Sequence, residues 1–263
     1  MPDVDLAIIG VGKMGSAIAA GVASADPSIA IGLVGHNQDT ITQLVNTYPS
    51  LKVATMETTA RTHLIAVKPR HVRGVCTELS REPHNLISVA AGVSLDQLID
   101  WSHPDSTVIR AMPNTPVEIR SGVTALTCAP HAEKVLEDAK VIFAHLGSVI
   151  TVEESQLDLV SAISGSGPAY MYFVIEALEE AGLRLGLPLA LARKLSLETM
   201  KGAAELAIHS GRDPRDLRLA VTSPGGTTAA AVDQLENQGV RSAFSLALEA
   251  ATAAAARIRA DQG

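Results

Sequence analysis

Two short stretches carry residue types and spacings that could do chemistry. The first, "GVGKMG" (Gly10–Gly15), fits G-x-G-x-x-G between a short apolar run and a helical one. In a dinucleotide-binding turn Gly10 bends the chain, Gly12 lets backbone approach a pyrophosphate, and Gly15 lets helix pack on strand. The helix behind such a turn offers unpaired N–H groups and a positive dipole end to the phosphates. The second, "TSPGGTTAAAVDQLE" (Thr222–Glu236), interrupts a half of the chain that otherwise reads as helix. A plain connector needs one glycine; this one has a proline, two glycines and two hydroxyls. Pro224, Gly225 and Gly226 stop one helix, and the next begins near Thr227 with N–H groups that have no intrahelical partner. Such a terminus suits an anion, and a carboxylate is one.

Other polar groups fall at the ends of apolar runs. "AVKP" (Ala66–Pro69) follows the run at His63–Val67, on the edge of an α/β sheet where ligands bind. Lys68 there could meet a phosphate, a ribose or a substrate carboxylate, or be a solvated surface lysine. Ala90, Ala91 and Gly92 in "VAAG" would leave room beside a flat nicotinamide ring. In "MPNTP" (Met112–Pro116) two prolines bracket Asn114 and stiffen a loop with polar side chains. A cofactor contact by Asn114 and a rigid structural turn both account for it. "SGSGPAY" (Ser164–Tyr170) starts a helix, with small cap residues and Pro168 in the first turn. At the tip of the second strand stand Gly35, His36 and Asn37, with no acid for a ribose 2′-OH. Asp39 comes late and suits a helix cap. This leans toward NADPH over NADH, without an arginine to support it.

The elements that must position these groups follow two rhythms. In the first half, apolar runs at Asp5–Ile9, Ile29–Gly35, His63–Val67, Asn85–Ala90 and Ser106–Met112 read as strands buried on both faces. Helical stretches such as Met14–Ala25 and Thr40–Tyr48 fall between them, which predicts a parallel sheet with helices on its faces. "GVTALT" and Gly147–Thr151 extend the sheet at its far edge, with a helix over Ala132–His145 between them. After Glu153 alanine and leucine dominate, and helices are expected at Pro168–Leu185, Pro188–Ser210 and Val240–Ala260. The expected fold is an α/β Rossmann-like dinucleotide-binding domain over residues 1–152 and an all-α domain over 153–263. The small residues of the second domain allow close helix approach, either within a monomeric bundle or against a second subunit.

Bulk properties exclude other classes. With 47% hydrophobic and 19% charged residues the chain can bury a core. A formal charge of -7 disfavours nonspecific nucleic-acid or anionic-membrane binding. No apolar stretch approaches the ~20 residues of a spanning helix, and the acidic start is wrong for a signal peptide. Cys76 and Cys128 form no C-x-x-C pair, and no histidine spacing suggests a metal site. A cytoplasmic protein without metal is expected.

Taken together, "GVGKMGSAI", "AVKP", "VAAGVSLDQL", "IRAMPNTP", "SGSGPAY" and "VTSPGGTTAAAVDQLE" resemble the pyrroline-5-carboxylate reductase family over nearly the whole chain. The resemblance implies reduction of L-1-pyrroline-5-carboxylate to L-proline with NADPH or NADH, the last step of proline biosynthesis. It implies a helical domain that forms a homodimer, which in some members assembles further into a decamer. By position, Gly10, Val11, Gly12, Lys13 and Met14 would line the pyrophosphate, and Asn37 the adenosine end. Ala66, Val67, Lys68 and Pro69 would lie on the nicotinamide side, with Ala91 and Gly92 near the ring. Gly226, Thr227 and Thr228 would grip the substrate, Thr228 facing the reacting end as an orienting hydrogen bond; Glu154 would reach it across the dimer. The chain departs from the family at Met56, at His36–Asn37, and at Leu219–Ala220 ahead of the signature. A related cyclic-imine or hydroxy-acid reductase and a nonenzymatic NADP-binding sensor are the competing readings. The first lacks a catalytic lysine in a suitable motif at Lys194 or Lys201, and the second gives no reason to keep SPGGTT.

Overall fold

The computed structural model describes residues Pro2–Ala260, with side chains to Arg257. Two compact units divide it: one runs to Ser166 and takes in the residues from Ala251 on, and the other spans Gly167–Ala250.

The first unit alternates strand and helix. In order come β1 (Val4–Ile9), α1 (Lys13–Ala25), β2 (Ile31–Val34), α2 (Gln38–Thr47), β3 (Leu51–Val53), β4 (Ala60–Ile65) and α3 (Pro69–Leu79). Then follow β5 (Asn85–Ser88), α4 (Leu95–Asp100), β6 (Thr107–Pro113), a 3-10 turn at Thr115–Ile119, β7 (Gly122–Cys128), α5 (Glu133–Ala144) and β8 (Gly147–Thr151). The strands form one sheet in the order β3-β2-β1-β4-β5-β6-β7-β8. Every pair is parallel except β6 with β7. The order reverses at β1, which pairs with β2 on one side and β4 on the other, and ligands bind beyond the strand ends at such a point.

Burial on both faces explains why these strands read as unbroken apolar runs. Leu6, Ala7, Ile8 and Ile9 of β1 are all buried. One face of the sheet packs Ile8, Ile18, Leu33, Ile109 and Phe143 into a core, and the other packs Val72, Cys76, Leu98 and Val108. Strand β3 was not among the expected runs. Only Leu51 of its three residues is buried, so it carries no apolar pattern.

The second unit contains α7 (Gly167–Arg184), α8 (Leu189–Ser210), α9 (Pro214–Ala220) and α10 (Thr227–Asn237), and α11 (Val240–Ala260) starts within it. Its breaks use left-handed glycines at Gly186 (φ 97°) and Gly211 (φ 60°), where a side chain would be strained. Helices α7 and α8 approach closely: a Cβ on Gly182 would stand 3.0 Å from that of Ala192. A two-armed ion pair joins them, Arg193 to Glu179 at 3.0–3.1 Å. Yet Glu179, Ala192 and Ser196 are the only buried residues of α7–α10, while Phe173, Leu185 and Ile208 are 71, 87 and 78% exposed. Among the described residues no helix is long and apolar enough to cross a membrane.

Candidate active site

The glycine loop sits at the carboxyl end of β1, held by its two neighbours. Gly10 N–H donates to the Val34 carbonyl of β2 (2.8 Å), and Ala66 N–H beyond β4 donates to Ile9 (2.7 Å). Gly10 has φ +101°, and a Cβ there would stand 2.7 Å from the Ala66 carbonyl carbon. A Cβ on Gly15 would collide with the Gly10 carbonyl oxygen. The fold therefore demands glycine at both positions.

Gly12 is different. Its backbone is extended (φ -89°, ψ -163°), and a Cβ would meet nothing within 4 Å. It is also the N-cap of α1, where Ser, Thr, Asp or Asn would contribute about 1 kcal/mol. No side chain caps that helix, and its first turn holds no acid. The site thus forgoes ordinary helix stabilisation and leaves donors open at a sheet switch point. Those features fit a dinucleotide pyrophosphate. Val11 is buried beneath the loop, while Lys13 is exposed and Met14 half-buried at the start of the helix.

The expected neighbours fall at the ends of adjoining strands. Asn37, beyond β2, is exposed and is itself the cap of α2, its Oδ1 accepting Thr40 N–H at 3.2 Å. The cap is therefore Asn37 and not Asp39, which lies in the first turn. Beyond β4, Ala66 and Val67 are half-buried and Lys68 is exposed; Pro69 opens α3. Beyond β5, Ala90 and Gly92 are buried, Ala91 is exposed, and Gly92 has φ +77°. At the end of β6, Asn114 is 8% exposed and both ends of its amide bind protein. Oδ1 accepts Val123 N–H (2.8 Å) and Nδ2 donates to the Ser164 carbonyl (3.2 Å).

Helix α7 starts within Ser164–Tyr170, at Gly167 with Pro168 in its first turn, as expected. The chain past β8 leads up to it through a 3-10 turn at Glu154–Gln156, the short α6 (Leu157–Val160) and a π-turn at Ser161–Gly165. Gly165 lies so near β6 that a Cβ would stand 2.9 Å from Met112 Cε. Glu154 Oε1 accepts from Leu95 N–H at 2.7 Å and from Arg110 Nη1 at 2.9 Å. Arg110 was missed by sequence reasoning. Its one signal is a lone charge inside the apolar run "STVIRAM".

The SPGGTT stretch belongs to the second unit. Ser223 to Gly226 form a four-residue turn, Gly226 N–H donating to the Ser223 carbonyl at 3.0 Å. Pro224 in second place and Gly225 at φ +72° in third are the residues that a type II turn requires. Helix α10 starts at Thr227 with Gly226 as its extended N-cap, again with no side-chain cap and no acid in the first turn. Thr227 is exposed and Thr228 half-buried. Among the described residues no group of three or more His, Cys, Asp or Glu could hold a metal ion.

Known proteins share both halves. The model of the family described as pyrroline-5-carboxylate reductase dimerisation matches residues 154–258, and that of NADP oxidoreductase coenzyme F420-dependent matches 5–92. A pyrroline-5-carboxylate reductase of Corynebacterium melassecola is 34% identical over 256 residues, covering 93% of this chain and 95% of its own. The structure of a pyrroline-5-carboxylate reductase from Coxiella burnetii superposes with a TM-score of 0.87 at 33% identity, covering 97% of this chain and 98% of that one. That of Plasmodium falciparum pyrroline carboxylate reductase, with NADP bound, has a TM-score of 0.83 at 27% identity over 98% and 99% of the two chains. With a uncapped glycine turn behind the first strand, a second one at SPGGTT, and this likeness along its whole length, the chain belongs to the pyrroline-5-carboxylate reductase family.

Proposed function

We propose that this chain reduces L-1-pyrroline-5-carboxylate to L-proline with NADPH in preference to NADH. The observation that carries the reading is the pair of glycine-capped helix starts, at Gly12 and Gly226, in a chain that matches a family member over 93% of its length. Each start presents N–H donors where a capping side chain would otherwise occupy them. At α1 they would hold the pyrophosphate, with Gly10, Val11, Lys13 and Met14 around it. At α10 they would hold the substrate carboxylate, with Gly226 and Thr227 beside it.

Bound nicotinamide would supply a hydride to the carbon of the C=N bond, and the nitrogen keeps the proton it carries when the substrate binds as the iminium. The chain's own residues orient and exclude. Ala91 and Gly92 leave space for a flat ring, and Ala66–Pro69 form the wall next to them. Thr228 Oγ orients the imine nitrogen by a hydrogen bond; a hydroxyl is too weak an acid to protonate it alone. Asn37 caps α2 through Oδ1, which leaves Nδ2 as a donor at the adenosine end. A donor and the absence of an acid at that tip favour a 2′-phosphate. Lys68, exposed on the same edge, adds positive charge.

Pairing of two copies through the helical unit belongs to the same reading. Helices α7–α10 bury almost none of their apolar residues, and exposed faces of that size mark an interface. A solution mass of two chains is expected from sedimentation equilibrium.

The deciding experiment follows nicotinamide absorbance in the presence of pyrroline-5-carboxylate. Oxidation of NADPH, with a higher kcat/KM than NADH and formation of proline, is expected. No oxidation of either cofactor would sink the reading.

A further inference from the structure

Arg110 is the one charged residue of β6, and its side chain is 7% exposed. A guanidinium does not shed its charge, so its place in the sheet depends on its partners. Nη1 lies 2.9 Å from Glu154 Oε1, and Nη2 lies 3.9 Å from Asp158 Oδ1. The same Glu154 oxygen accepts the N–H of Leu95 at 2.7 Å. Leu95 is the first residue of α4, where the loop Val89–Ser94 ends. The upstream end of that loop leaves β5 at Ser88, whose Cα pairs in register with that of Arg110. Ser88 Oγ in turn accepts Ala90 N–H at 3.3 Å. Both ends of the loop are thus tied to one residue of β6.

We propose that Arg110 is a positioning residue for hydride transfer: by holding Glu154 against the start of α4, it fixes the Val89–Ser94 loop. This rests on the reading of Ala91 and Gly92 as the nicotinamide side of the site. Glu154 then acts as a brace through Oε1. Small displacements of a reacting group lower rate far more than affinity. The pyrophosphate grip at α1 lies on other strands and is left intact.

The test compares wild type, Arg110→Lys, Arg110→Met and Arg110→Met/Glu154→Gln as full chains. For Arg110→Met, kcat per folded site should fall about tenfold or more, with the KM for NADPH within about twofold. Amide exchange in the segment Val89–Gln97 should accelerate in parallel. The double variant removes the charge of the nearer of the two carboxylates facing Arg110 yet keeps an acceptor for Leu95 N–H, so it should recover several-fold in kcat and slow the exchange. If Arg110→Met does not fold, Arg110→Lys carries the test, with about a threefold loss in kcat and the same unchanged KM. The proposal is overturned if kcat per folded site and exchange stay at wild-type values. It is equally overturned if the double variant is no better than Arg110→Met, or if the loss only tracks the folded fraction. The exchange measurement needs no turnover. A wild type inactive on pyrroline-5-carboxylate would therefore defeat the proposed substrate while leaving the brace itself to be judged by exchange.

Discussion

The turn at Gly10–Gly15 and the turn at Ser223–Thr228 both end in a helix capped by an extended glycine, yet they need glycine for different reasons. In the first, Gly10 and Gly15 are squeezed between β1, β4 and α1, and a methyl group at either would strike backbone. In the second, Gly225 is set by its positive φ alone, with open space around its missing side chain. Gly226 would touch only its own turn, at Ser223 Oγ (2.9 Å) and the Ser223 carbonyl (3.2 Å). The first turn is thus shaped by the sheet behind it, and the second by its own local sequence. What they share is the position that neither packing nor dihedral explains fully: a helix cap without a capping side chain. Shape was reached by two routes, and the open helix end is the common product.

Four experiments would break or sharpen this contrast. Gly10→Ala should be the most damaging, combining a left-handed backbone with overpacking for a loss of about 3 kcal/mol or more in urea unfolding. Equal stability to wild type would mean that the sheet does not dictate the loop. Acid should also act on the first unit. His63 is 3% exposed; burial, aided by His84 packed edge-on at 4.5 Å, pulls its imidazole down to about 4. A depressed base stabilises the fold while neutral, so the stability is present above the ordinary value near 6.5 and is lost as pH falls through about 4. The loss amounts to about 3 kcal/mol when complete, and His63→Phe should flatten the urea midpoint between about pH 7 and 4. The second unit has His209 alone, which is exposed. Gly225→Ala should cost about 1 kcal/mol, the conformational part without a clash. A loss as large as that of Gly10→Ala would erase the distinction between the two turns. Smallest in stability is Gly12→Ala, within about 1 kcal/mol, because its Cβ meets nothing.

Much of the scaffold was legible. Strands such as β1 announce themselves because both faces are covered, and helix breaks because Gly186, Pro188, Gly211 and Pro214 leave few alternatives. Strand β3 was not legible, since an edge strand with one buried residue has no period to detect. The cap of α2 was misassigned because Asn37 and Asp39 are both good capping types two residues apart, and only the backbone decides between them. Asn114 was visible as a stiffened polar position, but its partners Val123 and Ser164 are set by tertiary contact. The Arg110–Glu154 pair spans 44 residues, and no local pattern links its members. Sequence showed that Glu154 was worth naming; its bonds to Leu95 N–H and Arg110 are set by tertiary contact.

In the proposed function the two open helix ends serve different reactants of one reaction. Steady-state kinetics of Gly12→Ala and Thr228→Ala, with NADPH and pyrroline-5-carboxylate each varied at saturation of the other, test it most directly. Gly12→Ala should raise the KM for NADPH about tenfold, because its Cβ would hold the pyrophosphate off the helix N–H groups, and leave the KM for pyrroline-5-carboxylate within about twofold. Thr228→Ala should raise the KM for pyrroline-5-carboxylate and lower kcat, each by about tenfold, with the KM for NADPH unchanged. Both substitutions moving the same constant, or neither moving any, would contradict the claim.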